Sequence, residues 1–237
     1  MKLFFALMMF LSVCFCLCAD NKADFVPATG TFDVPETSPD MVIIANSMTV
    51  VDGQAILERN VRATRSTDVL TSQHLLLNDE PRWVLATEDP ELIRNERIDE
   101  SGVFRNTHLV ADRIYFNAEK EYFNASESVF LKIVETPFQA RSSQEESSWV
   151  EIKSDEMFWY SEDELLKFTG NVSVRDSDSF ATSDKLDYYQ DKSIAILTGN
   201  ARVETVEFNE RTGEMEDRIL EGEKITYNTE TRIATSE

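Results

Sequence analysis

Apolar and polar positions alternate through the chain in short runs, and two neighbouring stretches share one pattern almost position for position. The first opens at Ser154-Asp155, passes through Met157-Phe158-Trp159-Tyr160 and the polar run 161–164, and returns through Leu165, Leu166 and Phe168 to Thr169-Gly170-Asn171-Val172-Ser173-Val174. The second opens at Ser183-Asp184, passes through Leu186-Asp187-Tyr188-Tyr189 and the polar run 190–193, and returns through Ile194 to Leu197, Thr198-Gly199-Asn200-Ala201-Arg202-Val203. In both, the glycine follows the aspartate by fifteen positions. Such internal self-similarity marks a repeated structural unit. Asp184, Leu186 and Tyr188 share one face of an alternating run, and Ala195, Leu197, Ala201 and Val203 share another, the period of half-buried strands. Each unit therefore predicts two strands joined by a turn, with Gly170 and Gly199 marking a bend inside the return strand.

The same unit can be traced across the chain. Ser47 to Val51 turns at Asp52-Gly53, a strong hairpin signal, and returns to Arg59-Asn60-Val61. Ser72 to Leu77 opens another unit whose return is obscured by Pro81 and Pro90. Ala111-Asp112 opens a third, closing at Glu127-Ser128-Val129, and Gly222-Glu223 opens a last one that starts back at Arg232-Ile233-Ala234. Longer polar stretches at 78–110, 137–150 and 206–218 read as connections, and Glu91-Leu92-Ile93-Arg94 predicts a short helix within 89–101. The expectation is an all-β domain over 41–237, a folded-over stack of antiparallel strand pairs, preceded by a flexible lead-in at 20–40 that holds three of the six prolines.

The first nineteen residues stand apart. Lys2, the apolar run Leu3–Leu17 and Ala19 before Asp20 predict a cleaved signal peptide and an exported protein, since the run is shorter than the ~20 residues of a membrane span. All three cysteines fall in this leader, so an exported chain from Asp20 has no disulfide, thiolate metal site or cysteine nucleophile. The net charge is −21, with 44 acidic against 23 basic residues and no basic stripe, which excludes a nucleic-acid partner.

No catalytic constellation is visible. His74 and His108 lack nearby co-ligands, there is no Gly-x-Ser-x-Gly elbow and no glycine-rich phosphate loop. Asp112, Asp155 and Asp184 recur at one repeat position, which favours a turn-building role over a catalytic pair. The reading is of a non-enzyme without metal or cofactor. Apolar residues instead recur at matching positions: Ile114, Phe116, Met157, Trp159, Leu186, Tyr188, Ile225 and Tyr227 on opening strands, and Phe123, Phe168, Val172 and Leu197 on return strands. They either pack as the core between two sheets or line a groove for acyl chains, and both roles are compatible.

The (Ala/Ser)-Asp-x-aromatic-rich strands at 111–116, 154–160 and 183–189 and the Thr-Gly-Asn-(Val/Ala)-x-Val strands at 169–174 and 198–203 resemble the OstA-like family of periplasmic lipopolysaccharide-transport proteins. The resemblance implies a twisted β-jelly-roll open along one seam, a periplasmic location, and a bridge that conducts lipopolysaccharide from inner to outer membrane with other jelly-roll subunits. The alternative from another class is a structural or adhesive exported β-repeat protein without lipid cargo. The final unit stops in mid-return, which predicts an open strand edge at 223–234 and head-to-tail self-association with the 41–51 strand of a second molecule or a related partner.

Overall fold

Alternation becomes antiparallel strands throughout. The computed structural model describes residues 32–33, 41–65, 67–78, 81–97, 103–136, 147–160, 164–189, 191–209, 213–229, 231 and 233–237. In chain order the strands are β1 (Phe32–Asp33), β2 (Met41–Ile44), β3 (Ser47–Val51), β4 (Gln54–Arg65), β5 (Asp68–Asn78), β6 (Trp83–Thr87), β7 (Glu91–Arg97) and β8 (Phe104–Val110). They continue as β9 (Arg113–Asn117), β10 (Tyr122–Thr136), β11 (Ser148–Tyr160), β12 (Leu165–Arg175), β13 (Ser179–Tyr189), β14 (Ile194–Asn209), β15 (Glu214–Asn228) and β16 (Ile233–Ser236). All belong to one hydrogen-bonded sheet, with neighbours running β1-β2-β4-β5-β6-β9 and then in sequence from β10 to β16. Within it β3 pairs with β4, while β7 and β8 bridge β5 to β10.

The sheet folds over because its long strands turn a corner. Two consecutive residues with positive φ stand at the bend of β4 (Arg59 64°, Asn60 52°), β10 (Glu127 64°, Ser128 58°), β12 (Gly170 76°, Asn171 48°) and β14 (Gly199 76°, Asn200 48°). The pairing register shifts at each of these places, so that two residues of the bent strand oppose one on a neighbour. Glu88 and Asp89 make the same turn between β6 and β7. Because two residues are spent in the bend, side-chain parity survives it: Leu197 and Ala201 are both buried although they lie on opposite sides of the corner.

Each long strand thereby contributes to two layers. The first layer holds β3, β6, β9, β16 and the segments 54–58, 74–78, 122–126, 156–160, 165–169, 185–189, 194–198 and 224–228. The second holds β2, β7, β8 and the remaining halves, including 129–136, 148–153 and 201–209. The corners form a spine, and the hairpin turns of the first layer lie at its far rim. One of these is Asp52-Gly53, whose two positive φ values (50° and 80°) are those the hairpin signal requires.

Several expectations are corrected. Residues 91–97 form β7, a strand between β5 and β8 and not a helix. Most of 78–110 is likewise strand, the missing return of the second unit being β6 and β7 with Glu88-Asp89 as its corner and Pro90 buried just beyond it. Of the polar stretch 206–218, residues 206–209 and 214–218 extend the β14–β15 hairpin. The leader and most of the 20–40 lead-in lie outside the described residues, but Phe32–Asp33 within that lead-in pairs with β2.

Candidate functional site

The inner faces of the two layers meet in one apolar interior. In the first layer, register aligns Val84, Phe116, Phe123, Trp159, Leu166, Tyr188, Ala195 and Tyr227 in a row across seven strand pairs. A second row, nearer the spine, joins Ile114, Ala125, Met157, Phe168, Leu186, Leu197 and Ile225. All twelve residues singled out from the repeat face this interior. Ile114, Phe116, Phe123, Met157, Phe168, Val172, Leu186, Tyr188, Leu197 and Ile225 are buried, and Trp159 and Tyr227 are partly buried against them. The pattern of strand alternation thus brings the whole stripe together.

Sequence reasoning missed the opposing wall. Leu109, Leu131, Ile133, Val150 and Ile152 of the second layer are buried to 5% exposure or less. The signal existed in β10, where Val129, Leu131 and Ile133 alternate, but it lay beyond the aligned end of the unit.

At the rim of that wall the lining changes from aliphatic to charged. Arg105, with its side chain 1% exposed, donates to Glu135 at 3.1 and 3.2 Å and to Glu96 at 3.0 Å. Arg94 pairs with Glu96 at 3.1 Å and with Asp68 at 3.5 Å. Register places these residues on the inward positions of β5, β7, β8 and β10, so the row crosses four strands. Burying such charges is tolerable because each is paired. Burial nevertheless pushes the Asp68 carboxyl up from its ordinary value, with Arg94 partly opposing and Glu96 adding to the rise. Thr107, fully buried in the same region, has a hydroxyl oxygen without a hydrogen-bond partner.

The repeated Ser-Asp and Gly-Asn positions build the spine. Asn171 donates its side-chain amide to Asp155 Oδ2 at 2.9 Å, and Asn200 does the same to Asp184 Oδ2 at 3.0 Å. Ser154 and Ser183 each donate to the carbonyl two residues on, at 2.9 Å. A methyl group on Gly170 would lie 2.8 Å from Asp155 Cβ, and one on Gly199 would lie 2.9 Å from Asp184 Cβ. Asp112 serves the third corner through its backbone, donating N–H to the Glu127 carbonyl at 2.9 Å. The two histidines lie apart, His74 against the Thr87 hydroxyl at 3.3 Å and His108 against Glu91 at 2.6 Å. The arrangement offers an apolar track with a paired charged rim.

No curated protein sequence matches the chain. Among solved structures, the chain is similar to the crystal structure of LptH, the LptA-homologous periplasmic component of the conserved lipopolysaccharide transport device from Pseudomonas aeruginosa. The identity is 12% and the TM-score 0.41, over 55% of this chain and 82% of that one. The family model described as LptA/(LptD N-terminal domain) LPS transport protein matches residues 43–233. With that match spanning well over half of its length, the chain belongs to the LptA/LptD N-terminal-domain family of lipopolysaccharide transport proteins.

Proposed function

We propose that the protein is a periplasmic, non-enzymatic carrier that holds the acyl chains of lipopolysaccharide between its two layers and passes the lipid between jelly-roll subunits joining the inner and outer membranes. The observation that carries this reading is the inner face itself, in which two aligned apolar rows cross the first layer from β9 to β15. Such a track runs across the strands, along the direction in which further modules would stack.

Affinity comes from acyl burial, at about 0.8 kcal/mol for each CH₂ removed from water. The chain's charge of −21 repels lipid phosphates, but that repulsion is screened over about 8 Å at physiological ionic strength, so several buried methylenes outweigh it. Side chains already fill the interior, with Met157, Leu166, Phe168 and Ile225 fully buried, so loading requires the layers to part. The outer edges of β3 and β16 have no partner strand among the described residues, and they supply the ends at which another jelly-roll can add.

A photoreactive benzoylphenylalanine in place of Trp159, on the inner face, tests the cargo. On illumination in cells it should crosslink to lipopolysaccharide, whereas the same group at Glu156, exposed on the outer face, should not. Equal labelling at both positions, or none at Trp159, would overturn the reading and favour a structural repeat protein.

A further inference from the structure

The solvent side of the first layer is not the polar face that an antiparallel sheet with one wet side ordinarily shows. Trp83 and Tyr115 bring their ring centroids to 6.3 Å, and Tyr115 and Tyr122 to 6.3 Å. Tyr122 in turn lies 6.2 Å from Phe158 and 5.5 Å from Tyr160, which stack on each other at 6.4 Å. Two positions along in the same register row, Tyr189 carries the Lys192 ammonium 5.0 Å above its ring. The ladder crosses the strands from β6 to β13, about 24 Å at ~4.8 Å per strand. It follows the rim of the layer, at the ends where β9 leads to β10, β11 to β12 and β13 to β14.

A second feature lies on the same face. Asp187 is 8% exposed and sits opposite Lys167 and Ile196. One carboxylate oxygen pairs with Lys185, and the other has no hydrogen-bond partner. Lys167 does not supply one: its ammonium stands 5.8 Å from the Tyr160 ring centroid. A buried carboxylate oxygen left without a donor is costly, and such a group in a folded protein calls for a partner.

We propose that this face holds the saccharide portion of the glycolipid whose acyl chains lie between the layers, the sugar chain emerging past the hairpin turns and lying along the rings. The proposal rests on the carrier reading. An occupant of this face must offer C–H surfaces to the aromatic rings and O–H donors to Asp187, and a pyranose offers both. An acyl chain has no donor. A peptide strand would add to a sheet edge and not to its face. An anionic membrane surface is disfavoured by the net charge of −21. Burial and the neighbouring Tyr160, Glu156 and Tyr115 hold the Tyr122 phenol above its ordinary value, so it keeps its proton to donate to a sugar oxygen.

Purified full chain would be titrated with lipopolysaccharide bearing its polysaccharide and with lipid A lacking it. The wild type should favour the former by on the order of tenfold, the scale of a hydrogen bond to a charged group. Asp187→Asn should bring that ratio near one while leaving the affinity for lipid A unchanged, and Tyr122→Leu should lower it. Equal wild-type affinities, or a folded Asp187→Asn variant that keeps the preference, would overturn the proposal. If Tyr122→Leu fails to fold, Asp187→Asn decides alone. Should lipid A itself not bind, the carrier reading fails. Polysaccharide released by mild acid, followed by tryptophan fluorescence, then decides the outer face separately: binding lost in Asp187→Asn sustains it, and no binding in the wild type overturns it.

Discussion

Asp155 and Asp184 perform the same task one unit apart, and the task explains why glycine must follow fifteen residues later. Each carboxylate receives the amide of an asparagine in the left-handed conformation and occupies the space where a side chain on the preceding residue would stand. Two costs therefore meet at Gly199, a φ of 76° and the collision with Asp184. Gly199→Ala should destabilise the protein by about 2–3 kcal/mol, combining the 1–2 kcal/mol of a left-handed non-glycine residue with displacement of the carboxylate. In an Asp184→Gly background, which removes the Cβ as well as the carboxylate, the same substitution should cost only the backbone part, about 1–2 kcal/mol. Urea midpoints of the four proteins measure this, and an identical cost in both backgrounds would remove the carboxylate from the account. Arg59 and Glu127 hold the equivalent position in β4 and β10 without glycine, so left-handed geometry alone does not demand it.

At the level of elements, β7 decides how strongly the charged row couples strands. Asp68 on β5 and Arg94 on β7 are register partners, and burial raises the Asp68 carboxyl above its ordinary 3.8. A carboxylate with a raised folded-state value favours the native state when protonated, so its contribution declines as pH rises from about 3.8 through that raised value. The stability of wild type minus that of Asp68→Asn should accordingly fall across this window; denaturant unfolding from pH 3.5 to 7 checks it, and a difference that rises with pH would refute it. The same row shows why part of the fold was illegible. Inward positions of β7 are Leu92, Arg94 and Glu96, while Ile93 faces outward, so alternation is inverted and the adjacent Leu-Ile pair imitates a helix. Pairing with charges on β5 and β8, invisible along the chain, is what makes that inversion tolerable. Where corners carry a side-chain signature, as at Gly170-Asn171 and Gly199-Asn200, strands, bends and inward stripe could all be read directly. The outer ring ladder was also hidden, because Trp83, Tyr115, Tyr122 and Tyr160 come from four strands and meet only through register.

For the molecule as a whole, the first layer ends, among the described residues, in the open edges of β3 and β16, where the exposed side chains of Val50, Val51 and Ile233 carry no charge to guard them. Ala234→Pro, which removes an N–H directed away from β15, should keep the central strands folded while weakening head-to-tail addition at the β16 end. Sedimentation velocity over a concentration series should show wild-type species growing with concentration and the variant remaining smaller; a wild type that stays monomeric at all concentrations and engages no jelly-roll partner would dismiss edge addition. The corners carry one more implication. Asp155 closes on Asn171 and Asp184 on Asn200, each bond lying within its own unit, and the two aspartates are twenty-nine residues apart. A bend that needs nothing from the next unit can be copied without rebuilding its neighbours. Each added copy contributes two strands, and lengthens the track by about 10 Å. The repeat thus sets a pitch, and the reach of a conduit made from it grows in fixed steps by duplication of a short piece of sequence.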